Sequence, residues 1–128
     1  MPFQSTFRDP VLTERAVSFA KPQIAAYAQA SGDHNPIHLD DEFARSVGLP
    51  GVIAHGLLQM GLMATVAAEE AGGPDRLKRL CCRFAGMVVP GDTVTFGATK
   101  DGTGRLALRA VNQKGEPVLT KSFAEVEP

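Results

Sequence analysis

Three features of this sequence predict an α+β domain: one strongly apolar segment of helical length, a run of alternating residues after it, and short turn signals that punctuate that run. The apolar segment runs from Leu57 to about Ala71 and stops at Glu69, Glu70 and the Gly72-Gly73-Pro74 break. It is apolar nearly all round, as a helix buried in the middle of a domain is. Downstream, Val94, Phe96 and Ala98 alternate with Thr93, Thr95 and Thr99, and Leu106, Leu108 and Ala110 alternate with Arg105, Ala107 and Arg109. Val118, Thr120 and Ser122 likewise alternate with Leu119, Lys121 and Phe123. Pro90-Gly91-Asp92, Asp101 to Gly104 and Lys114-Gly115 supply the turns of an antiparallel meander. One buried helix followed by such a meander means a sheet wrapped around the helix.

The first dozen residues look irregular, and Thr13 to Phe19 forms a short strand with Val17 and Phe19 on one face. Pro22 opens a helix, as proline does at a first helical position. Ile24, Tyr27 and Ala28 give its apolar stripe, and Ser31-Gly32-Asp33 breaks it. Asn35-Pro36 starts a short turn or helix that contains His38. Asp40 or Asp41 caps the next turns, Gly48 closes them, and Leu49-Pro50-Gly51 turns toward the long helix. Met60 and Met63 read as core of that helix. Leu80 to Val89 reads as the strand that follows it.

A chain of 128 residues suits a single domain over 1–128, with one core. Its 13 basic and 14 acidic side chains give a formal charge of −1 with no basic stripe, so a nucleic-acid partner has no electrostatic support. The most apolar stretch, Val52 to Ala68, contains His55, Gln59 and glycines, short of the roughly 20 apolar residues of a spanning helix. Met1 to Pro10 has no apolar signal-peptide core, and the expected location is cytoplasmic. Cys81 and Cys82 are adjacent, so in a strand they point to opposite faces and pair poorly as a disulfide. A domain of this size leaves sheet edge or apolar surface uncovered, which implies at least a dimer.

Two stretches carry chemistry. Tyr27 to His38, continuing to Ala44, sets a carboxylate (Asp33) and an imidazole (His38) on either side of an Asn-Pro turn. The turn folds the chain back, so both groups can reach one water or substrate atom. In the first turn after Pro36 the positive end of the helix dipole favours a neutral imidazole, the form a general base needs. The same residues are also ordinary turn formers. The second stretch, Gly48 to Leu58, places Gly56 at the start of the buried helix, where amide hydrogens lack internal partners and suit an oxygen gaining negative charge. Gly56 equally allows close packing there. His55 reads as catalytic, structural or a ligand; His34 reads as exposed. Asp33, His38 and His55 lack the usual metal-ligand spacing, and no metal site is expected.

The run from Ser31 through Gly32, Asp33, His34, Asn35, Pro36, Ile37 and His38, with Ala44 six residues on, resembles the signature of the MaoC-like, or hydratase 2, family of (R)-specific enoyl-CoA hydratases and 3-hydroxyacyl-thioester dehydratases. Ile53 to Leu58 is similar to that family's second block, and Arg83 to Asp92 to its strand-and-turn region. The resemblance implies a hot-dog fold, an antiparallel sheet around a long central helix. It implies Asp33 and His38 as the catalytic pair, Gly56 as the thioester oxyanion donor, and no metal or organic cofactor. A coenzyme A or acyl-carrier-protein thioester is the implied substrate, in a homodimer, higher oligomer or heterodimer. The reaction is hydration of a trans-2-enoyl thioester or its reverse, in fatty-acid metabolism. Gln59 stands where some relatives carry small hydroxyl residues. A hot-dog thioesterase is the alternative enzyme, yet Leu57 to Ala68 contains none of the carboxylates such enzymes place on that helix. A non-catalytic partner subunit is the third reading, and its expected mark, loss of the pair, is absent.

Overall fold

Proline opens the first helix and glycine closes it, and the path from there to the site is set by side chains that cap each short element. A computed structural model describes residues 12–127. Of the opening dozen expected to be irregular, residues 1–11 lie outside the described residues, and β1 (Leu12–Ser18) begins at the twelfth. Helix α1 (Lys21–Ser31) has Pro22 in its first turn and ends on Gly32, whose φ of 78° is the left-handed conformation that L side chains avoid. A 3-10 turn (Pro36–His38) follows. Asp40, not Asp41, caps α2 (Asp41–Ser46), accepting from the Glu42 and Phe43 N–H groups. Asp41 is used elsewhere: it accepts the Val52 N–H at 2.9 Å and pairs with Lys21, tying the turn before the long helix to α1.

The long helix, α3 (Gly56–Ala71), leads into β2 (Leu77–Phe84), β3 (Thr93–Lys100), β4 (Arg105–Val111) and β5 (Pro117–Val126). The five strands form one sheet in the order β1-β3-β4-β5-β2, antiparallel at every pairing. Met63, Val66 and Ala67 of α3 share one core with Val94, Phe96 and Ala98 of β3, so the sheet wraps the helix as the pattern implied. Among the described residues no helix is long and apolar enough to cross a membrane. Cys81 and Cys82 are both free and partly buried.

Three local expectations are corrected. The strand expected over Leu80–Val89 starts three residues earlier and ends at Phe84. Ala85 and Gly86 still donate to the Val118 carbonyl (2.9 and 3.3 Å), but the chain then leaves the sheet, and the Val88 carbonyl accepts the Ala54 N–H at 2.8 Å. Second, the alternation of β5 breaks at Lys121, which sits at φ 48°. Between the pairs Ala110–Leu119 and Ala107–Phe123, β5 holds one residue more than β4, a bulge that switches which residues face the core. Third, α3 is not buried all round. Leu57 is 65% exposed, and Gly61, Thr65 and Glu69 repeat that exposure at four-residue spacing. The sheet covers one side of the helix, and the other has no cover among the described residues.

Candidate active site

The Asn-Pro turn builds the first half of the site. The Asp33 N–H donates to Ser31 Oγ (3.2 Å), and Asp33 Oδ1 accepts the Asn35 N–H (3.3 Å). Asn35 Oδ1 in turn accepts the Ile37 N–H (3.2 Å), which starts the 3-10 turn. Such side-chain-to-backbone bonds are what Asp and Asn offer to tight turns. The turn is only three residues long, so it carries no appreciable macrodipole, and His38 stands at its end. The dipole expected to hold His38 neutral is therefore not the controlling influence. Its orientation comes from elsewhere: Nδ1 lies 2.7 Å from the Ile53 carbonyl. A carbonyl only accepts, so Nδ1 carries the proton and Nε2 of the neutral ring keeps its lone pair.

His55 builds the second half. It is 1% exposed, at the N-cap of α3, and its Nε2–H donates to the Asp33 main-chain carbonyl at 3.1 Å. Its ring stacks on His38 (centroids 3.7 Å apart, planes 21° from parallel) and meets the Tyr27 ring edge-on at 4.7 Å. Burial pushes its pKa below the usual imidazole value, and the neighbouring His38 adds to this, while the Asp33 carbonyl and carboxylate oppose it. Of the three roles left open for His55, the structure supports the structural one. It joins the Asp33 turn to the start of α3. Its Nδ1 is buried with no partner among the described residues.

The structure brings Asp33, His38 and His55 together, with one ligand-type atom of each within 4.8 Å of the others. Two hydrogen bonds of about 2.8 Å meeting at one water oxygen span about 4.5 Å, a length comparable to that separation. A metal ion fits less well. It must lie in the plane of each imidazole it binds, and stacked rings aim their lone pairs side by side instead of at one point.

His38 and Gly56 share a cavity of about 520 Å³ whose walls include Ile37, Ile53, Gln59, Phe84 and Met87. Asp33 is not among its walls; it lies at the exposed turn beside it. Gly56 is the first residue of α3, and His55 supplies no side-chain cap. The amide hydrogens at this end, that of Gly56 included, are those a helix leaves without internal partners. The packing reading of Gly56 is also correct: a Cβ there would stand 3.0 Å from the Phe84 ring. His34 is exposed, as expected. Sequence reasoning missed three contributors: the Ile53 carbonyl that sets the His38 tautomer, and the Phe84 and Met87 walls. Ala85-Gly86 was the available signal for the walls, a small-residue break inside the apolar run.

Fold and site together define a class. Residues 2–121 match the model of the MaoC like domain family, and the chain belongs to that family. It is 40% identical over 90 residues to the peroxisomal hydratase-dehydrogenase-epimerase of Saccharomyces cerevisiae, covering 70% of this chain and 10% of that protein. It is 33% identical over 101 residues to the peroxisomal enoyl-CoA hydratase 2 of Arabidopsis thaliana, covering 77% of this chain and 33% of that protein. It thus spans a tenth to a third of the length of these relatives. An R-hydratase of Pseudomonas aeruginosa, solved in the unliganded form, superposes with a TM-score of 0.77 at 30% identity, over 90% of this chain and 77% of that one. The fold is the hot-dog fold that the sequence resemblance implied.

Proposed function

We propose that this chain is a hydro-lyase that adds water to trans-2-enoyl thioesters to give (R)-3-hydroxyacyl thioesters, or catalyses the reverse, in fatty-acid metabolism. The observation that carries this reading is that His38 and the Gly56 end of α3 line one cavity with apolar walls, with Asp33 beside His38. Relatives named enoyl-CoA hydratase and R-hydratase support it. In the hydration direction, Asp33 and the Nε2 lone pair of His38 hold one water. A proton leaves it as its oxygen bonds to C3. The C2–C3 electron pair shifts toward the thioester oxygen, where the Gly56 N–H steadies the charge. Return of a proton to C2 on the same face completes the addition. No metal or organic cofactor takes part in this scheme.

The acyl chain lies against Ile37, Ile53, Phe84 and Met87, and the carrier is coenzyme A or an acyl-carrier protein. Residues 1–128 act as one MaoC-like domain, in the cytoplasm, although some relatives are named peroxisomal. Self-association, as a homodimer or larger assembly, covers the open side of α3, and a heterodimer does so equally. Nothing favours the thioesterase: the only carboxylates of α3, Glu69 and Glu70, lie at its far end, where Glu70 accepts the Thr13 hydroxyl and Glu69 pairs with Arg15.

The test follows loss of the conjugated-thioester absorbance of trans-2-enoyl-CoA substrates of several lengths, with the product's stereochemistry and free thiol measured in parallel. The expected result is the (R)-3-hydroxyacyl product with no thiol released. Asp33→Asn and His38→Gln are expected to keep the fold and lower turnover by about 10²–10⁴-fold. Thiol release, an (S) product, or no turnover of either coenzyme A or carrier-protein thioesters would overturn the reading.

A further inference from the structure

One polar side chain of α3 lines the cavity and has no part in the scheme above. Gln59 is 4% exposed and borders the same cavity as His38 and Gly56. Its Oε1 is buried with no hydrogen-bond partner among the described residues. A folded protein seldom leaves a buried amide unpaired, and where it does, an absent water or ligand is the usual explanation. Helix geometry says where that ligand atom lies. Gln59 follows Gly56 by three residues, so the two share a face, one turn apart. Long helical side chains lean toward the N-terminus and cover the preceding turn. That turn begins with Gly56, which has no side chain to compete for the space. The carboxamide therefore lies over the end of the helix where unpaired amide hydrogens gather. A half-turn about its last bond presents N–H in place of the oxygen.

We propose that Gln59 is the second oxyanion donor of the site, its side-chain N–H joining the Gly56 N–H on the thioester oxygen. The inference rests on the enoyl-thioester reading and adds a specific residue to it. As the water oxygen bonds to C3, the C2–C3 pair moves to place charge on the carbonyl oxygen, and two neutral donors hold it until C2 takes its proton. A carboxamide does this without titrating. Because the charge is small in the bound substrate and large in the transition state, the interaction acts on kcat and not on KM.

The test compares wild type with Gln59→Met, which keeps the side chain's length and removes both polar ends, and Gln59→Glu, which keeps the shape but offers no N–H. Both variants are expected to lose about 100-fold or more in kcat with KM changed by less than about threefold. Gln59→Met is expected to melt no lower than wild type, because it removes an unpaired buried group. In an Asp33→Asn background, the carbonyl stretch of a bound, unreacted enoyl-CoA should lie at lower frequency with Gln59 than with Met in its place. An active wild type whose Gln59→Met and Gln59→Glu variants keep kcat within about threefold overturns this inference alone. If Gln59→Met does not fold, the kcat and carbonyl stretch of Gln59→Glu decide the matter. Wild type without hydration activity overturns the underlying reading, and this inference with it.

Discussion

Two imidazoles lie face to face beside the cavity, and only His38 forms part of its wall. The other, His55, is the residue through which pH reaches the fold. Its pKa in the folded chain lies below the usual value of about 6.5, chiefly because burial disfavours the charged ring. As pH falls through 6.5, the unfolded chain takes up a proton that the folded chain still refuses. The contribution of His55 to stability is thus fully present above about pH 6.5 and is lost as pH falls toward the lowered folded value. Thermal melts between pH 7.5 and 5.5 should show a falling Tm. The fall should be smaller in His55→Gln, whose amide can still donate to the Asp33 carbonyl but does not titrate. An equal fall in both proteins would remove His55 as the cause. None of this was legible in the sequence, which left three roles for His55 open. The bond that decides among them joins residues 22 positions apart, and no local pattern encodes it.

At the scale of elements, the segment between β2 and β3 does more than its sequence suggested. Read as strand through Val89, it instead leaves the sheet after Gly86 to form one wall of the cavity, and the Val88 carbonyl pins the chain just before α3. Gly86 permits this. A Cβ there would lie 3.2 Å from the Pro117 carbonyl oxygen and 3.6 Å from Val118 Cα, backbone atoms that cannot rotate away. Gly86→Ala should therefore cost about 1–3 kcal/mol in urea unfolding, and it should raise KM for an enoyl thioester through displacement of Met87. Unchanged stability would mean that the β2–β5 edge yields easily. Helix ends, by contrast, were legible: Pro22, Gly32, Asp40 and Gly72 act where turn and cap chemistry put them. Strand ends were not. An apolar run says that residues are buried, and not whether a ladder or a cavity wall buries them.

For the whole molecule, the open side of α3 is the feature that packing among the described residues does not explain. Leu57 at 65%, Met87 at 52% and Phe84 at 51% exposure stand next to Gly56 or line its cavity, and β2 and β1 are the edges of the sheet among the described residues. Apolar side chains grouped around a cavity mouth are of the kind that bury against a bound ligand or a second chain. Sedimentation at micromolar concentration is expected to show a dimer or larger species, and Leu57→Glu is expected to weaken association by about tenfold or more. A wild-type monomer under these conditions would leave the exposed stripe of α3 without its proposed cover. The apolar character of α3 as a whole, Leu57 included, was visible in the sequence, and so were the small and polar Gly61, Thr65 and Glu69 of the stripe. Its exposure was not, because a helix apolar on every side looks the same whether its second cover is the same chain or another.

Periodicity and turn residues were sufficient for the α+β class, the central helix and the meander, and the Asp33-to-His38 run for the candidate pair, because each depends on residues within a turn or two of one another. The tertiary structure alone decided which groups stand together at the candidate site. The Ile53 carbonyl sets the His38 proton, His55 ties the Asp33 turn to α3, and the residues after Phe84 form a cavity wall instead of a strand. Those relations join segments distant along the chain. They arise only when the sheet closes on α3 and the competition for buried hydrogen-bond partners is resolved.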